Sequence, residues 1–96
     1  MTIAAFVPDL MDRSRFSGCR LLSSLEELRA ATESLVVVDL SRPGVLDSLP
    51  DTKVVGFAPH VDDALLAQAN ERGVEALPRS VFFRRLPDLL AGEPEG

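Results

Sequence analysis

Three uninterrupted apolar runs set the terms for any fold of this chain: IAAFV at 3–7, LVVV at 35–38 and VVGFA at 54–58. Each has the length of a strand. A strand with one face in water alternates apolar and polar side chains, whereas a continuous run needs cover on both faces. A parallel sheet between two layers of helices provides that cover. Two weaker runs, 19–22 and 74–77, contain Arg20 and Glu75. They suit the sheet edges, where one side meets water.

The segments between these runs read as helices. Ser24 to Glu27 has the S-x-x-E form of a capping box, and Leu25, Leu28 and Ala31 follow at helical spacing. Residues 60–72 form the strongest helical pattern, with Val61, Leu65, Leu66 and Ala69 as an apolar stripe and Gly73 as the stop. Ser80 is expected to cap a last helix carrying Phe82, Phe83, Leu86 and Leu90, with Pro87 kinking or restarting it. Of the adjacent pair Phe82 and Phe83, one is expected to face outward. The stretches after Pro8 and Pro43 allow short helical turns only. The final GEPEG reads as a short acidic tail at 92–96, leaving one domain over 1–91.

Strands alternating with helices imply right-handed crossovers and a parallel sheet. The most apolar strands, the first, third and fourth, belong inside. The expectation is therefore a single-domain α/β fold of three layers, with strand order 2-1-3-4-5 as in flavodoxin-like proteins. Ligands of such sheets sit beyond the carboxyl ends of the strands.

Composition narrows the function classes. The chain has 96 residues, enough for one core, and its net charge of -5 argues against nucleic acid or an anionic membrane as partner. It has no Trp or Tyr on which bases stack. No apolar run approaches the roughly 20 residues of a membrane helix. The opening MTIAAFV lacks the basic start of a signal peptide. A single cysteine, Cys19, rules out an internal disulfide, fits a cytoplasmic location and reads as a small apolar filler.

The residues just past the strands are the candidates for chemistry: Pro8 and Asp9, then Asp39 to Ser41, then Ala58 to His60, then Pro78 to Ser80. Asp9 reads either as a metal ligand or as the N-cap of a short helix. His60, the sole histidine, reads as a metal or acid–base group or as a surface residue opening a helix. Asp9, Asp39 and His60 together allow one alternative, a small metal-dependent enzyme. Arg84 and Arg85 read as a solvated helix face or as a docking site for an acidic partner.

The order and spacing of these stretches resemble the receiver domain of bacterial two-component response regulators, in a short and atypical form. VVVDLSRPG resembles the phosphoacceptor strand and loop, FVPDLMDRSR the first strand with its acidic pair, VVGFAPH the fourth strand with its switch hydroxyl, and GVEALPRS the fifth strand with its lysine–proline pair. The resemblance implies Asp39 at the phosphoacceptor position and a possible Mg²⁺ held by Asp9, Asp39 and the Ser41 carbonyl. It also implies Ala58 at the switch position and Arg79 at the lysine position. The departures are the reduction of the acidic pair to Pro8-Asp9, the loss of the switch hydroxyl at Ala58, and the exchange of the lysine–proline pair for Arg79-Ser80.

An arginine grips a carboxylate bidentately, which a lysine cannot do. The expectation is thus a silent acceptor, Asp39 paired with Arg79, on a stand-alone, non-enzymatic module for protein–protein interaction in signalling. Its partner would be a kinase, an effector or a second copy in a weak homodimer, with the monomer the other outcome. By resemblance, docking would use a face bearing Asp62, Asp63, Arg84 and Arg85. The alternative within the same resemblance is a working receiver phosphorylated on Asp39 with Mg²⁺.

Overall fold

The computed structural model of the chain describes residues 3–16, 18–59 and 62–91. Five strands, β1 (Ile3–Phe6), β2 (Arg20–Leu21), β3 (Leu35–Asp39), β4 (Lys53–Ala58) and β5 (Glu75–Pro78), form one sheet of order β2-β1-β3-β4-β5. Every pairing is parallel, with Ala5 opposite Val37 and Val37 opposite Val55 at the centre. The layout is the flavodoxin-like one that the apolar runs imply. The helices are α1 (Leu10–Arg13), α2 (Leu25–Arg29), α3 (Asp63–Glu71) and α4 (Arg79–Leu90), with a 3-10 turn at Val45–Asp47.

The sheet divides the core by the two-residue period of its strands. Ala4, Phe6, Val36, Val38, Val54 and Ala58 face one layer, where Leu28, Val45 and Ala69 of α2, the 3-10 turn and α3 cover them. Ala5, Val7, Leu35, Val37, Val55 and Phe57 face the other, under Phe82 and Leu86 of α4 and under Phe16. Continuous apolar runs arise because both faces are roofed, so neither parity can be polar.

Local signals fix most element ends. The Ser24 side chain accepts the Glu27 amide at 3.1 Å, and Glu27 returns to the Ser23 amide at 2.6 Å. α3 stops at Gly73, whose φ of +86° carries the left-handed turn, while the Val74 amide bonds back to the Ala69 carbonyl at 3.1 Å.

Two ends differ from the sequence expectation. Asp62 caps α3 by accepting the Leu65 amide at 3.2 Å, so the described helix starts at Asp63. Residues 60 and 61, and the tail 92–96, lie outside the described residues. Ser80 is no cap: α4 follows β5 directly, from Arg79, and its cap position is Pro78 with no side-chain bond. Pro87 is accommodated inside α4, which continues to Leu90. Phe83 is half-buried and packs with Phe57 at 5.1 Å and Phe82 at 5.0 Å, rather than facing water.

Candidate functional site

The carboxyl edge of the sheet gathers three acids and several arginines, and their pairing is the main finding there. Asp39 closes β3 and is 6% exposed. Its Oδ1 accepts the Ser41 amide at 3.0 Å and the Ser41 hydroxyl at 2.6 Å. Its Oδ2 faces the Arg42 Nε at 3.4 Å, a nitrogen that is itself buried and makes no hydrogen bond. The acid is thus satisfied by the loop it opens, as an Asx turn with an adjacent cation.

Arg79 does not pair with Asp39. Its guanidinium forks onto both carboxylate oxygens of Asp12, with Nη1 to Oδ2 at 2.7 Å and Nη2 to Oδ1 shorter still. The physical reason is position: Asp12 lies on α1 with 5% exposure, whereas Asp39 is already engaged by Ser41 and Arg42. The bond to Asp12 raises the Arg79 pKa, burial opposes that rise, and the charges of Asp12, Asp39 and Asp9 add to it. The guanidinium also lies over the rings of Phe83 at 4.7 Å and Phe57 at 5.6 Å. These rings and the Asp12 fork fix its direction.

Asp9 caps α1. Its Oδ1 accepts the amides of Met11 at 2.9 Å and Asp12 at 3.1 Å. Ala58 is 1% exposed and belongs to the core under α3, so the position that the resemblance gives to a switch hydroxyl is a buried methyl. His60 lies outside the described residues. Asp62 and Asp63 open α3, Arg84 is exposed on α4, and Arg85 bonds Glu75 of β5 at 2.7 Å. Because α3 and α4 cover opposite sheet faces, these four residues flank the β5 edge from both sides.

Mg²⁺ requires several hard oxygens free to converge on it. Asp9 is committed to two amides, Asp39 to Ser41 and Arg42, and Asp12 to Arg79. Among the described residues no group of three or more His, Cys, Asp or Glu side chains could hold a metal. The donor set does not fit the ion in this arrangement.

Sequence reasoning missed Asp12, Arg15 and Arg42. Asp12 was signalled by its place three residues after the Asp9 cap, one helical turn on, where it faces the same way. Arg15 lines two neighbouring depressions, one of about 400 Å³ with Pro59, Arg79, Ser80 and Phe83, and one of about 370 Å³ with Asp9, Met11, Asp12, Ser14 and Arg79. Cys19 packs against the Phe82 side of the core, and burial pushes its thiol pKa up, away from the reactive thiolate. Among the described residues no helix is long and apolar enough to cross a membrane.

No family model, curated protein or solved structure matches the chain.

Proposed function

We propose that the chain is a receiver-like domain that works as a protein–protein interaction module in bacterial signal transduction, in the cytoplasm, without an efficient phosphorylation switch. The observation that carries this reading is the state of Asp39. Phosphoryl transfer to a carboxylate depends on a free oxygen and on cations arranged to neutralise the incoming charge. Here one oxygen accepts two hydrogen bonds from Ser41, the other faces Arg42, and Arg79 is held by Asp12. Ala58 offers no hydroxyl to follow a phosphoryl group. With the switch silent, a constant surface is what such a domain has to offer a partner.

The test is photo-crosslinking in cells from a probe residue at Arg84, in the wild type and in Asp39→Ala. A protein crosslink that persists in Asp39→Ala is the expected result. A crosslink lost in Asp39→Ala, together with broad amide shifts when Mg²⁺ and beryllofluoride are added to the wild type, would replace this reading with a working receiver. Absence of any protein crosslink in both proteins would remove the interaction role on the α3–β5–α4 side.

A further inference from the structure

α1 presents the two large apolar side chains that stand out in water among the described residues: Leu10 at 77% and Met11 at 82% exposure. They are not loose. The Asp9 cap and the Asp12–Arg79 fork bind this single turn to the sheet edge, so the pair is displayed on a fixed support. Beside it Arg15 lies over the Phe83 ring at 5.0 Å and has no carboxylate partner among the described residues. Met11, Arg15 and Arg79 line one depression together with Asp9 and Asp12, and Arg15, Arg79 and Phe83 line the next. Among the described residues the second depression has no acid in its lining, and because Arg79 is already forked by Asp12, Arg15 is its uncompensated cation, beside the Ser80 hydroxyl.

From this juxtaposition we infer that the α1 edge is a docking surface for an acidic segment of another protein, one carrying a carboxylate next to a bulky apolar residue. The carboxylate would sit on Arg15 against Ser80. The apolar residue would cover Met11 and Leu10. Arg15, a cation with no carboxylate partner among the described residues on a chain of net charge -5, is the feature that selects an acidic ligand. A second copy of the chain is the poorer occupant. A two-fold contact would bring Arg15 toward its own copy. A head-to-tail contact with an acidic face elsewhere would build a ring or an open filament rather than a dimer. The inference rests on the reading of the domain as an interaction module and adds a second surface, distinct from the β5 flank.

The experiment is an amide NMR titration with a soluble peptide carrying an Asp-Leu-Glu-Phe core in a Gly/Ser frame, and with its Asn-Leu-Gln-Phe analogue. The acidic peptide should shift the amides of Leu10, Met11, Arg15, Ser80 and Phe83 and should weaken as salt rises. The analogue should bind at least about tenfold more weakly, the loss expected for a charge-assisted contact. Arg15→Glu should abolish the preference for the acidic peptide, and Met11→Ser should weaken both peptides. Both side chains are exposed, and unchanged amide spectra elsewhere would show the fold intact. Equal binding of the two peptides, or no shift at α1 with either, would overturn the inference. So would concentration-dependent shifts at Leu10 and Met11 without peptide, which would mean self-association. If the α1 surface fails while the crosslink from position 84 persists, the interaction role stands and only this surface falls.

Discussion

Asp39 and its neighbour Leu40 show how closely the β3 edge is built. Asp39 turns its carboxylate into its own loop, and Leu40 turns its side chain back over β4, where it is 3% exposed and its amide bonds the Phe57 carbonyl at 2.9 Å. Gly56 of β4 leaves the room for it. A Cβ at position 56 would lie 2.7 Å from Leu40 Cγ and under 3 Å from both terminal carbons. Rotation about χ2 leaves Cγ where it is, and a χ1 change would carry the whole branch out of the buried place it fills. Gly56→Ala is therefore expected to cost about 1–3 kcal/mol through overpacking, against any gain from lower chain entropy. Urea unfolding measures it, and the double variant with Leu40→Ala should show a smaller added cost for alanine at 56. Equal costs in the two backgrounds would place the strain elsewhere.

At the scale of elements, α1 is the informative case. Four residues cannot form a stable helix alone, since nucleation fixes several residues for one hydrogen bond. Its existence depends on Asp9 at the start and on Asp12, whose side chain is 7% exposed, reaching Arg79 at the head of α4. Arg79→Met leaves that buried carboxylate without its donors. The expected loss is about 1–3 kcal/mol, reduced because Arg79 itself is half in water. Asp12→Asn should cost less, and a double-mutant cycle with Arg79→Met should give a coupling well above that of an exposed pair. A coupling near zero would mean that α1 is held by its cap alone. The same cycle built on Asp39 in place of Asp12 should show little coupling, since Arg42 and Ser41 serve that acid.

For the whole molecule, the edges are where charge and fold meet. β2 is two residues long, and Arg20 on it clasps Glu33, which precedes β3, at 2.5 and 3.1 Å. The hydrogen bond from Arg20 holds the Glu33 carboxyl below its ordinary pKa, against a smaller opposing effect of burial. A carboxyl depressed in the folded state stabilises above its unfolded pKa, and that contribution is lost as pH falls through the folded value. Glu33→Gln should therefore lower the melting temperature near neutral pH, and the gap to the wild type should close in acid below the ordinary carboxylate range. A gap that stays constant to acid pH would assign the loss to packing of the edge rather than to the charge. The opposite edge, β5, is guarded differently: Asn70 of α3 accepts the Ala76 amide at 3.3 Å and Arg85 bonds Glu75. The Asn70 contact occupies a backbone amide that would otherwise invite another strand, and the Arg85–Glu75 pair places charge along the edge.

The parallel sheet, its order and its two roofs were legible in the chain because they follow from period and continuity. Runs such as LVVV at 35–38 admit few environments, and the Ser24–Glu27 cap and the Gly73 stop act over one turn of backbone. That acids and arginines would meet at the carboxyl edge was also legible, from strand polarity alone. Which acid meets which arginine was not. Arg79 could reach toward either Asp12 or Asp39, and sequence carries no distances or rotamers. Tertiary structure decided it: the Asp9 cap turns Asp12 toward Arg79, Phe57 and Phe83 fix the line of the guanidinium, and Ser41 with Arg42 had already satisfied Asp39. Charge pairing at a sheet edge is a non-local choice among several near-equal partners, settled by burial and reach, which only the packed molecule defines.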